Sequence, residues 1–525
     1  MCNTYQGGFP MGLNYNDLSL LRFIQKRQYT PLYKVAAQFN KNETSIRRTI
    51  EQINLYSPIP MVEVQKNYCI SRVSYEEFVS FIQTITMEDY VSSWTERIQV
   101  LIVTIFFHGY VNTSRLYESW GLSLTTKKQD TAHLRRFLLE HGLELVTLKR
   151  IGLSIKGDDL QLRFLVINIL HPLLEFTAED QIQGRYANTP IENQSYQLAA
   201  PDLLEVCPEA VTLLNRFLTE NHLSLNYPSK KFLLLFICFM LIRPVSRETP
   251  LSYRLPLTPF HIHFFDDALS DQLWSVAVSM MNFSQSLKFP MDRLLWQTTE
   301  RFAEDVVAGL EYPFPVREEF IRELYGYFYR EICLNHFHCT FVDKTVENTR
   351  ENFPFLYNLI QKYLIYFHAA FHFQIMDEHI CTLTLLVQKH ILRNQIVARN
   401  PKKIVVMTSI NFERISYFLE QLRDRVSIQW MGTFNINELH MLDQIDYDYI
   451  LCFSARILNI LNAAHLPVIR LNFFVSDSDI DILLRHGFPL LRHRFLASSF
   501  ALEIAGKNEA ELVDYLKEQY GDYFV

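Results

Sequence analysis

Thr125, Thr126, Lys127, Lys128 and Gln129 stand in a row within LSLTTKKQDTAHLRRFLLEHG (residues 122–142), and Arg135 and Arg136 follow two turns later. Hydroxyls, lysines, a carboxamide and arginines in this order suit non-covalent chemistry. The polar first turn of a helix can reach base edges in a major groove, and cations beside it can meet phosphate oxygens. Ser123 or Thr125 is the expected N-cap, and Leu134, Phe137 and Leu138 recur at helical spacing. A matching set, Thr44, Ser45, Arg47 and Arg48, follows Asn42 in NETSIRRTIEQINLY. Ile46, Ile50 and Ile53 share one face of that second helix.

The elements that must hold these residues repeat. In the first copy DLSLLRFIQKR is amphipathic. TPLYKVAAQFN comes next, with Thr30 as expected N-cap and Pro31 at the first helical position. The helix capped by Asn42 is third. MVEVQKNYCIS then alternates around Lys66–Asn67, which predicts a hairpin with Lys66 at its tip. In the second copy TERIQVLIVTIFFHG (95–109) is a helix. NTSRLYESWG (112–121) is another, capped by Asn112 or Thr113 and stopped at Gly121. The basic helix is third, and LELVTLKRIGLSIKGD predicts a hairpin with Lys149 and Arg150 at its turn. Two helices joined by a tight turn, with a hairpin behind them, form the winged helix-turn-helix pattern. Two copies within about 160 residues make an internal repeat.

Charge follows the same division. The chain carries a formal net charge of −7, yet residues 1–160 hold 18 Lys+Arg against 15 Asp+Glu. An N-terminal part that faces an anionic partner is the expectation. The 525 residues predict several domains at roughly 100–200 residues each. Eight scattered cysteines form no C-x-x-C pair, which speaks against a disulfide framework or zinc ribbon. No signal peptide opens the chain, and FLLLFICFMLI (232–242) is shorter than the ~20 residues of a membrane span. A cytoplasmic protein with no membrane contact is expected.

Beyond residue 160 the pattern changes. Long Phe-, Leu- and Tyr-rich helical segments run to about 395, interrupted by expected loops at EDQIQGRYANTPIENQ, RETPLSYRLPLTPF and EYPFPVREE. RNPKK (399–403) marks a composition shift. KIVVMTS, NFERISYFLEQLRD, VSIQWMG and YDYILCFS then read as strand, helix, strand and strand, which implies a small α/β domain with a parallel sheet. NHFHC places His336, His338 and Cys339 close together, but one such cluster without a second predicts no metal site. Gly-rich nucleotide loops, nucleophile elbows and H-E-x-x-H are absent from the sequence, so neither catalysis nor a cofactor is expected.

The stretch from TERIQVLIVTIFFHG to LQLRFLVINIL resembles the winged-helix segment of Mga-type regulators, the Gram-positive virulence activators related to AtxA. GLELVTLKRIGLSIKGD, a wing that ends in Gly-Asp before a helix, is its most specific part. The resemblance extends over most of the chain. It implies a mainly α, multidomain architecture: a first winged helix-turn-helix domain at 1–72 and a second at 73–160. PRD-like helical bundles follow at 161–288 and 289–398, then an α/β domain similar to the EIIB subunit of sugar phosphotransferase systems at 399–525. FPFLYNLIQKYLIYFHAAFHFQIMDEHICTLTLL (353–386) is similar to the second half of a PRD.

The resemblance also implies the function: a homodimeric or higher-oligomeric regulator, an activator of virulence or carbohydrate-linked genes, bound to double-stranded promoter DNA. The phosphocarriers of the phosphotransferase system are its further expected partners. In PRDs, histidines on two helices accept phosphate. At the corresponding places stand Glu323 and Leu385, with Phe236 in the first bundle, while Met407 replaces the phosphorylated Cys of EIIB. His261 and His263 in HIH are the histidines that could take that role. The rival readings are an RNA-binding antiterminator, which would open on a small all-β domain, and a phosphocarrier-like protein.

Overall fold

The computed structural model describes residues 12–177, 180–245, 251, 254–284, 288–310, 316–341, 348–393, 401–488 and 515. Among them the chain is mainly helical, with a small parallel sheet near the C-terminus. No described helix is long and apolar enough to cross a membrane. The expected segments 1–11, 399–400 and 489–514 lie outside the described residues. The fold divides into two compact units. One comprises the described residues up to Thr384 with Ser409–Phe412 and Asn435–His440, and the other the rest.

The first unit opens with α1 (Tyr15–Arg27), β1 (Tyr29–Pro31), α2 (Leu32–Gln38), α3 (Glu43–Leu55), β2 (Val62–Gln65) and β3 (Tyr68–Ser71). The side chains of Asn14 and Asp17 cap each other's backbone N–H groups at the start of α1. Asn42 accepts the Ser45 N–H at 2.7 Å at the start of α3. Thr30 does not cap α2. It lies in β1 opposite Cys69, and Pro31 occupies the cap position with no side-chain bond. A residue before proline is pushed toward extended backbone, and here a third strand uses that conformation.

A helix the periodicity did not suggest, α4 (Tyr75–Thr84), follows on a reciprocal Ser74–Glu77 cap. Its Phe78, Phe81 and Ile82 join the apolar cluster of Leu18, Leu21, Ile24, Ile46, Ile50 and Ile53, so that core runs past residue 72. The second copy consists of α5 (Trp94–His108), α6 (Thr113–Ser119), α7 (Leu124–Glu140), β4 (Leu143–Leu148) and β5 (Gly152–Gly157). Asp158 then caps α8 (Asp159–Leu170).

The segment expected as a loop at 179–194 is partly ordered structure. β6 (Leu174–Phe176) pairs with β7 (Ile182–Gly184), and α9 (Pro190–Glu220) begins inside it. Thr189, Pro190 and Glu192 are the reason: a capping box with proline at the first helical position. The remaining helices are α10 (Tyr227–Ile242), α11 (Ala268–Ser279), α12 (Arg293–Ala308), α13 (Glu318–His336), α14 (Thr349–Asn352), α15 (Pro354–Tyr363), α16 (Ile365–Phe371) and α17 (Asp377–Arg393). The apolar run in α10 is buried from residue 232 to 240.

The other unit holds β8 (Lys402–Met407), α18 (Phe412–Arg423), β9 (Ile428–Phe434), β10 (Tyr449–Cys452), α19 (Ala455–Ala463), β11 (Val468–Arg470) and α20 (Asp477–Arg485). Its sheet has the order β11-β10-β8-β9, with every pair parallel. Val405, Val406, Ile450 and Leu451 are fully buried, as parallel strands covered on both faces require.

Candidate nucleic-acid interface

Ser123, one of the two expected caps, starts α7 by accepting the Thr126 N–H at 3.1 Å. Thr125, Lys128, Gln129, Arg135 and Arg136 are exposed along the helix, and Thr126 and Lys127 are half-buried. The Lys127 ammonium donates to the Ser114 hydroxyl at 3.1 Å and so leans on α6. Leu134 and Leu138 hold the opposite face in the core.

A buried ion pair fixes the rotation of α7. Asp130 is 1% exposed. Arg97 of α5 donates to both its oxygens, Nε to Oδ2 at 2.6 Å and Nη2 to Oδ1 at 3.1 Å. The Tyr117 hydroxyl of α6 donates to Oδ2 at 2.7 Å. Burial and the neighbouring carboxylate push the Tyr117 hydroxyl's pKa up. For Arg97, burial favours the neutral form, but the bond to Asp130 outweighs it and the pKa rises. Three helices thus meet on one carboxylate inside what reads, in sequence, as a solvated basic helix.

The hairpin behind α7 pairs in six register positions from Leu143–Gly157 to Leu148–Gly152. Lys149 and Arg150 are exposed at its turn, where Arg150 takes a left-handed φ of 63°. Gly152 has φ +157°, and a Cβ there would lie 2.1 Å from the Val111 carbonyl oxygen.

In the first copy Thr44 and Arg48 are exposed and Ser45 is half-buried on α3. Arg47 donates to the Asn67 side-chain oxygen at 2.8 Å, tying α3 to the hairpin tip. Lys66 is exposed at that tip, and Lys66 and Asn67 both have positive φ, as the favoured two-residue hairpin turns demand. Counted from the caps Asn42 and Ser123, Thr44 matches Thr125, Ser45 matches Thr126, Arg47 matches Lys128 and Arg48 matches Gln129. Thr49 and Asp130 occupy equivalent positions, and both are buried. The structure therefore brings each predicted cationic set beside its own hairpin. Asp130, Arg97, Tyr117, Asn67 and Ser114, which position those sets, gave no such signal in the sequence.

The other singled-out residues are dispersed. His263 Nδ1 lies 3.0 Å from Asp271 Oδ2, and His261 Nδ1 lies 2.9 Å from the Ser275 hydroxyl. Both rings remain about two-thirds exposed. Glu323 is half-buried on α13, whereas Phe236, Leu385 and Met407 are buried. His336 ends α13, His338 has a left-handed φ of 53°, and the Cys339 thiol is buried, which pushes its pKa up.

No model of a known protein family matches the chain, and no curated protein is significantly similar to it.

Proposed function

We propose that this chain is a transcriptional regulator of the Mga type, an activator that binds promoter DNA as a homodimer through two winged helix-turn-helix units. Residues 161–398 are read as two PRD-like bundles and 399–525 as an EIIB-like domain, with regulatory and oligomerisation roles and no catalysis. One observation carries the reading: the same arrangement occurs twice. In each copy an N-capped helix presents hydroxyls and cations in its first turns, with a cation-tipped hairpin behind it. Solvated helix faces carry cations routinely, but they have no reason to repeat with a hairpin at the same offset. Thr44, Thr125, Gln129 and Arg48 suit base edges or nearby phosphates. Lys128, Arg135, Arg136, Lys149, Arg150 and Lys66 suit phosphate oxygens.

Phosphate contacts should dominate affinity, so log Kobs should fall steeply and linearly with log salt. Fluorescence anisotropy with duplex DNA from the gene's own upstream region tests this. Tight, salt-steep binding is the expected result. A folded protein that fails to bind at low salt would refute it.

A further inference from the structure

A cleft of about 210 Å³ lies in the first unit, between the end of α4 and the start of α9. Gln83 forms one wall. Arg185 and Tyr186, just after β7, and Asn193, Tyr196 and Gln197 of α9 form the other. Gly184 closes the floor, so near the Tyr196 ring that a Cβ would lie 2.8 Å from it. The volume is below the roughly 300–1,000 Å³ of sites for drug-sized ligands, so the occupant is small.

The lining chemistry narrows that occupant. The side-chain carboxamides of Gln83, Asn193 and Gln197 have no protein partner among the described residues, and each offers both a donor and an acceptor. Arg185 meets Glu175 only at 3.4 Å, with its side chain 43% exposed. Tyr186 and Tyr196 add two aromatic faces. Carboxamides match hydroxyl groups, a guanidinium matches one anionic group, and tyrosine faces cover the carbon skeleton between them.

We infer that this cleft binds a small hydroxylated monoanion, of the size of a sugar acid or a phosphorylated sugar. Its position makes it a regulatory site. Gln83 belongs to the helix that closes the first copy's core. Arg22 of α1 donates to the Ala187 carbonyl at 2.8 Å, just beyond Tyr186. Gln194, within the same turn of α9, accepts the Trp120 indole N–H at 2.8 Å from the end of α6. A ligand gripped from both walls therefore favours one placement of the two DNA-reading units over others. This regulatory half rests on the DNA-binding reading, whereas the site itself does not.

Isothermal titration of the full chain with glucose 6-phosphate, gluconate, myo-inositol and inorganic phosphate tests the site. Glucose 6-phosphate or gluconate should bind with Kd below about 1 mM, and the stronger of the two names the anionic group. Inositol and phosphate should bind far more weakly, since neither offers both halves. Arg185→Gln should weaken the anionic ligand about tenfold or more, through loss of a charge-assisted bond. Asn193→Leu, on the opposite chemistry, should weaken it as well. No binding of either anionic probe, or equal binding by Arg185→Gln and wild type, would overturn the site. DNA anisotropy on the same samples separates the two readings. Ligand binding without DNA binding upholds the cleft and removes the regulator reading; DNA binding without ligand binding overturns the cleft alone.

Discussion

Val111 and Leu153 exchange both backbone hydrogen bonds, Val111 N–H to Leu153 O at 2.8 Å and Leu153 N–H to Val111 O at 2.9 Å. The bridge ties the residue just ahead of α6 to the second strand of the hairpin. Thr30 and Cys69 are paired in the same way ahead of α2. Each copy thus has its short helix locked to its own hairpin, which sets the angle between the cationic helix and the hairpin tip.

Gly152 is the residue that lets this bridge form. Alanine there would place Cβ against the Val111 carbonyl oxygen at a φ that L residues rarely adopt. Gly152→Ala should cost about 2–4 kcal/mol in urea denaturation, combining strain with overpacking. Gly142, at φ +67°, has nothing within 4 Å of its would-be Cβ. Gly142→Ala should therefore cost only the left-handed penalty, about 1–2 kcal/mol. Equal losses in the two variants would speak against a tight bridge.

The buried carboxylate of Asp130 should matter more to stability than any cation on its helix. Asp130→Ala leaves Arg97 buried without its charge partner, which should cost about 3–5 kcal/mol. Tyr117→Phe removes one donor and should cost about 1–2 kcal/mol. Lys128→Ala, on the exposed face, should stay within about 0.5 kcal/mol of wild type. Thermal or urea unfolding ranks the three. An Asp130→Ala protein as stable as Lys128→Ala would mean that the pair does not hold α7 in place.

Periodicity and caps made much of this legible. Asn42, Ser123 and Asn112 each cap the helix expected of them, and both hairpins turn at the predicted residues. What escaped the sequence depends on tertiary context. Asp130 sits among lysines and arginines, and only the Arg97 and Tyr117 partners, 33 and 13 residues away, make burial tolerable. Arg47 has the type and spacing of a phosphate contact, but the structure gives it the Asn67 side chain as a partner. Thr30 obeys the sheet rather than the helix because β3 is there to pair with it. Only the capping box at Thr189–Glu192 was written plainly in the segment taken for a loop.

Asp271 gives the bundle a pH dependence. Burial favours its neutral form, but the Phe264 and Phe265 N–H groups and the His263 ring more than compensate, so its pKa lies below the usual value. A carboxyl whose folded pKa is depressed binds its proton more weakly in the native state. Its stabilising contribution is complete above the unfolded value near 3.8 and is lost as pH falls through the folded value. Asp271→Asn should be less stable than wild type at pH 7, and the gap should close as pH is lowered below about 4. A gap that is constant with pH would show that the charge of Asp271 contributes nothing.

The most direct test of the whole account is anisotropy of the full chain on its upstream duplex DNA across a salt series. Wild type would be compared with Lys127→Ala/Lys128→Ala and Arg47→Ala/Arg48→Ala. The account predicts weaker binding in one or both variants, with the slope of log Kobs against log salt shallower by up to about 2 for a pair of lost phosphate contacts. Wild-type binding and slope in both variants, or no binding by folded wild type at low salt, would contradict it.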